Sequence, residues 1–147
     1  MTRPRHRALR VSIRLAKLTE DRSAQELANA LGELDRARES VARVRSAIDE
    51  SDTLATHDEA FGAGLAYRTL LQRRLPLERA VERVQQEHAH RKMDNFLEAH
   101  KARELYSRAL DGKLTAERYE RDKRETAAML ELSQMLTEQV RRRDAEH

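Results

Sequence analysis

LANALGELDRARESVARVRSAI, residues 27 to 48, sets apolar side chains at Leu27, Ala30, Leu34, Ala37, Val41, Val44 and Ile48. The steps alternate three and four residues, which is the a/d spacing of a heptad seam. Arg, Glu, Asp and Ser fill most positions between. The seam runs backwards in register through Ser23 and Glu20 to Ala16, Ile13 and Leu9. So narrow a stripe suits one partner helix better than a broad globular core.

The composition fits this reading. Of 147 residues, 37% are charged and 3% aromatic, with only two prolines, as in long helices and coiled coils. High charge with few aromatics also describes disorder, but sustained periodicity argues for helix. There is no cysteine, which excludes disulfides and thiolate zinc sites in the chain. No apolar run approaches the length of a membrane span. The first 17 residues hold Arg3, Arg5, Arg7, Arg10, Arg14 and Lys17 without an acid. An organelle transit peptide has that composition. Because Leu9, Ile13 and Ala16 stay in the seam, the segment reads instead as the first turns of helix one.

Helix one is expected over about residues 5–50, with Pro4 suited to a helix start. Glu39 and Arg43 are spaced for an i,i+4 pair on its outer face. Residues 51–60 read as the tip loop, and Thr56-His-Asp-Glu59 as a capping box for the second helix. Helix two is expected over about residues 61–142. Its seam is read through Leu70, Leu77, Val81 and Val84, drifting past Met93, Phe96 and Leu97. It resumes at Ala102, Leu105, Ala109, Ala116 and Tyr119, and ends on a shifted phase at Met129, Leu132, Leu136 and Val140. Tyr67 and Tyr106 are also assigned to seam positions. Pro76 predicts a kink or a fresh helix start. At Asp111-Gly112 a break is weighed against continuity, and continuity is preferred, because one glycine costs about 1 kcal/mol and i,i+4 pairs Glu117–Arg121 and Glu120–Arg124 come just after it.

These elements predict an all-α chain, a single domain over 1–147: a long antiparallel two-helix coiled-coil hairpin with an overhanging C-terminal helix. A tip near residue 55 would set Ile48 near Gly62, Leu34 near Pro76 and Leu9 near Lys101. Residues past about 101 would then have no partner on helix one, yet they keep an apolar stripe. Such a stripe needs another protein or a second copy.

No catalytic constellation, cofactor site or metal site is found. Gly112-Lys113 lacks the upstream glycine of a phosphate loop, and Leu114 stands where that loop needs Ser or Thr. His88 and His90 point to different faces of a helix, so they make a poor metal pair. His88 reads as a polar seam member, His90 and His100 as exposed or half-exposed. The basic termini allow nucleic-acid or anionic-membrane binding, but acids are interspersed over most of the chain and no aromatic platform accompanies them.

With a short tip, a longer second helix and this size, the chain resembles the FliJ family, the stalk proteins of type III export in flagella and related injectisomes. Local echoes are Leu31-Gly-Glu-Leu34, Arg91-Lys92 and Arg124-Glu-Thr-Ala-Ala-Met-Leu130. None is a sharp motif, and Gly62, Gly64, Pro76 and Gly112 depart from a plain hairpin. The resemblance implies a non-enzymatic cytoplasmic adaptor, peripheral to the inner-membrane export apparatus. Its terminal end would enter the export ATPase ring, and its tip would face the membrane export gate protein. Some members also handle export chaperones. By element, the ATPase-side residues would be Leu132, Leu136, Val140, Arg141, Arg142 and Arg143. The tip-side residues would be Ile48, Phe61, Leu65 and Tyr67. The resemblance does not separate a flagellar from an injectisome system. Alternatives from other classes are a homo-oligomeric coiled-coil scaffold and a basic helical nucleic-acid-binding protein.

Overall fold

The computed structural model describes residues 4–54 and 61–147, with side chains over 6–52 and 62–147. The capping box at 56–59 lies outside the described residues. Two helices account for the fold: α1, Pro4–Leu54, and α2, Phe61–Glu146. They pack against each other, and no strand occurs among the described residues. Helix α1 continues through Ser51, whose hydroxyl donates to the Ile48 carbonyl at 2.7 Å. Helix α2 runs unbroken through Pro76 and Gly112. No new helix begins at Pro76, and the helix continues on both sides of it.

By contact density the chain divides into two compact units. One is Arg14–Arg103; the other joins Met1–Ile13 to Glu104–His147. In the first unit the α1 seam is buried as its spacing demands. Ala30, Leu34, Ala37, Val41 and Val44 are the buried positions, Ala30 being only 1% exposed. Ser23, Leu27 and Ile48 are half-buried in the same row, and Glu20 is buried.

Helix α2 meets this seam with a face that the stripe of Leu70, Leu77, Val81 and Val84 does not predict. The residues turned inward are Leu71, Leu75, Glu78, Glu82, Gln85, Ala89, Lys92, Phe96, Ala99 and Arg103, all buried or half-buried. Leu71, Glu78, Glu82 and Gln85 sit one residue beyond Leu70, Leu77, Val81 and Val84, a rotation of about 100° about the helix axis, whereas Phe96 is turned inward as its place in the expected seam implies. Leu70, Leu77, Val81, Val84, Met93, Leu97, Leu105 and Tyr119 are exposed instead, Leu77 at 68%. Ala102, Ala109 and Ala116 are exposed as well, and so are Tyr67 and Tyr106.

Two physical reasons favour the observed face. The expected stripe is interrupted by Arg74 and loses its phase past Val84, whereas the inward face keeps apolar or small residues at 71, 75, 89, 96 and 99. The inward face also answers the charges on α1. Lys92 donates to Glu26 at 3.1 Å, and Arg103 to Glu20 at 2.9 Å. Arg68 lies 2.7 Å from Asp52, and Arg38 lies 3.9 Å from Glu82.

The same pairs fix the register. Positions that rise along α1 meet positions that fall along α2, so within this unit the helices run in opposite directions. Leu34 clusters with Ala30 and Ala89, not with Pro76. The expected tip at residue 55 therefore set the pairing too early. Helix α1 persists to Leu54, which moves every partner on α2 further along.

In the second unit His6 is buried and its Nε2 lies 2.8 Å from Glu117 Oε1. Leu9 and Ile13 on α1, and Ser107, Leu110 and Leu114 on α2, are half-buried in the same unit. The expected meeting of Leu9 with Lys101 is replaced by this later register. Partnered α2 thus extends to Glu117, not to about residue 101. From Arg118 to His147 every residue is exposed.

Candidate partner-binding surfaces

Beyond Glu117, helical spacing alone arranges the side chains of α2. Met129, Leu132, Leu136 and Val140 stand three or four residues apart and so share one face. All four are exposed, Leu136 at 62%. Leu130 and Met135 are exposed too and widen the apolar face. Neither belongs to the heptad row, although each is adjacent to one of its members. Arg141, Arg142 and Arg143 come next, exposed, in the last turns, where cations favour the negative end of the helix dipole. Thr126 and Thr137 turn their hydroxyls to the carbonyls of Asp122 and Ser133, at 2.8 Å each. These bonds leave the apolar face uncovered.

The residues named for the tip separate. Leu65 and Tyr67 are exposed, but Ile48 is half-buried in the α1 seam. Ile48 therefore packs as core, because its heptad position places it there. The Phe61 side chain lies outside the described residues. Tyr67 does face a groove between the helices, shared with Arg43, Ala47, Leu71 and Arg74.

The seam carries more chemistry than the stripe pattern suggests. His6 escapes that pattern, although it stands three residues before Leu9 in register. Glu20 is buried in the seam, bonded to Arg103 and 3.6 Å from His100 Nδ1. His100 stacks on Phe96, with ring centroids 6.1 Å apart. His88 is half-buried in α2, and His90 is exposed, 3.8 Å from Asp94. Glu26 is held below the ordinary glutamate value of 4.5, first by its hydrogen bond from Lys92 and then by the charge of Lys92. The anticipated Glu39–Arg43 pair does not form; Arg43 donates instead to the Ser40 hydroxyl at 3.2 Å.

Among the described residues no group of three or more His, Cys, Asp or Glu side chains is placed to hold a metal ion. No described helix is long and apolar enough to cross a membrane. What these surfaces offer is contact: one exposed apolar row ending in arginines, and a second along the flank of the hairpin.

No family model matches the sequence, and neither a curated protein nor a solved structure does.

Proposed function

We propose that the chain forms an antiparallel coiled-coil hairpin and works as a stalk or adaptor of a type III protein export apparatus. In this reading it acts by contact, without catalysis, in the cytoplasm and peripheral to the inner membrane. The exposed end of α2 enters the export ATPase ring. The tip side, through Leu65 and Tyr67, faces the membrane export gate, and export chaperones are a further class of partner. The observation that carries the reading is the exposed row Met129, Leu132, Leu136 and Val140, continued by Arg141 to Arg143, beyond Glu117, the last residue paired with α1 among the described residues. Burying an aliphatic side chain is worth about 1.5 to 3 kcal/mol, so four such anchors supply much of the free energy of a micromolar contact. The coiled-coil detail is supported by the heptad spacing of the buried α1 seam and by the opposite order of the interhelical ion pairs.

Truncation after Ala128 tests this. Residues 129–147 bury nothing in the protein alone, so the truncated chain should melt close to full length. It should fail to bind or stimulate the export ATPase in a pull-down and a turnover assay. Undiminished ATPase binding would remove this row from the interface.

A second reading, a homo-oligomeric scaffold, is favoured by the exposed heptad positions Leu70, Leu77, Val81 and Val84. A mass that rises with concentration in sedimentation equilibrium, with no ATPase binding, would select it.

A further inference from the structure

Within the unit Arg14–Arg103, α2 carries a row that the hairpin leaves open: Tyr67, Leu70, Leu77, Val81 and Val84. The steps three, seven, four and three are those of a heptad seam with one position, Arg74, taken by a charge. All five are exposed by 48% or more. The row adjoins the face that meets α1, so it forms one wall of a groove rather than an isolated strip. At its Tyr67 end that groove is lined by Arg43 and Ala47 from α1 and by Tyr67, Leu71 and Arg74 from α2.

Between Arg36 and Ala47 the charged side chains on this flank of α1 are basic. Arg43 and Arg74 line the groove directly. Arg36 lies two turns before Arg43 on the same face of α1, and Arg73 stands at the outer edge of the row. Arg74 already holds Glu78, at 3.2 Å, and Arg43 holds only the Ser40 hydroxyl among the described residues. Arg36 and Arg73 form no ion pair among the described residues, and both are exposed. An apolar floor at heptad spacing between basic edges selects an occupant of complementary pattern. Nucleic acid does not fit, because the floor is leucine and valine rather than a stacking platform.

We propose that this face is a docking site for a third helix: an amphipathic helix of another protein, with leucine-type residues at heptad spacing and acidic edges. It would lie along the groove between α1 and α2, its apolar stripe on Leu70, Leu77, Val81 and Val84, and its carboxylates toward Arg36, Arg43 and Arg73. Only the hairpin face is involved, so this docking is independent of ATPase binding by residues 129–143.

The test uses the full chain and two fluorescent three-heptad peptides. Both carry Leu at a and d; one has Glu and the other Lys at e and g. The Glu-edged peptide is expected to bind in an anisotropy titration at least ten times more tightly than the Lys-edged one. Leu70→Asp with Leu77→Asp should weaken it tenfold or more without altering helicity, since both positions are exposed. Arg43→Glu with Arg73→Glu should invert the preference between peptides, which a merely unfolded variant would not do. Failure of the Glu-edged peptide to bind would overturn the proposal, as would equal binding of both peptides or indifference to all four substitutions. If sedimentation shows a dimer that Leu70→Asp with Leu77→Asp converts to monomer, the occupant is a second copy and the proposal is wrong.

Discussion

Helix α1 and helix α2 each carry an apolar row at heptad spacing, and only one of them is buried. Along α1 every seam position from Leu9 to Ile48 is buried or half-buried. Along α2 the row from Leu70 to Val84 is open, and the face one residue further round does the packing. The difference teaches that a heptad pattern identifies a helix able to pair, not the face it uses. On α1 one row is far more continuous than any other, so pattern and packing agree. On α2 two rows compete. The interhelical bonds of Lys92, Arg103 and Arg68 to acids on α1 favour the row that turns inward.

The largest effect that would break this comparison is a charge placed in each row. Leu34→Asp puts a carboxylate into a site only 5% exposed and should cost about 3 kcal/mol or more, enough to abolish a cooperative melt. Leu77→Asp, at an exposed site, should change stability by about 0.5 kcal/mol or less. Circular-dichroism melts of the two variants decide the matter. Equal losses would mean that α2 packs through its other row.

Removing volume should grade the same contrast. Leu34→Ala is expected to cost about 2 to 3 kcal/mol, and Val84→Ala well under about 1 kcal/mol. The register can be sharpened separately, because the native chain has no cysteine to interfere. A short bis-maleimide should join Glu26→Cys to Lys92→Cys efficiently. It should not join Leu34→Cys to Pro76→Cys, the pair implied by a tip near residue 55.

In the terminal unit, His6→Ala removes a buried hydrogen bond to Glu117 and should cost about 1 to 2 kcal/mol locally. Hydrogen exchange should show faster exchange over residues 104–117, and no change over 118–147, which gains nothing from the pair. Uniform acceleration along the whole chain would contradict a local role.

The smallest expected effect is one of pH. Folding lowers the affinity of Glu26 for a proton, chiefly through Lys92. The contribution is therefore fully present above the ordinary glutamate value of 4.5 and fades as pH falls through the lowered value of the folded state. Glu26→Gln should reduce the melting temperature slightly at pH 7 and leave it unchanged at strongly acid pH. A loss that persists in acid would indicate a packing role for the side chain. Because Glu26 is substantially solvated, the effect should also shrink with added salt.

Sequence alone determined that this chain is helical, and which face of α1 is its core. Charge-rich composition and an unbroken three-four rhythm leave α1 a single way to remove Leu27, Leu34, Val41 and Ile48 from water. It also marked the row from Met129 to Val140 as apolar at helical spacing, a local property of the chain. Only the tertiary structure decided where α1 ends, which partner each seam residue meets, and which row of α2 stays open. Those depend on contacts between residues far apart in sequence. In the unit Arg14–Arg103, the interhelical ion pairs Arg38–Glu82, Arg68–Asp52, Lys92–Glu26 and Arg103–Glu20 form together in one rotation and one register of α2. A periodicity of three and four recurs at every rotation of a helix, so it carries no record of that choice. The partner's charges do.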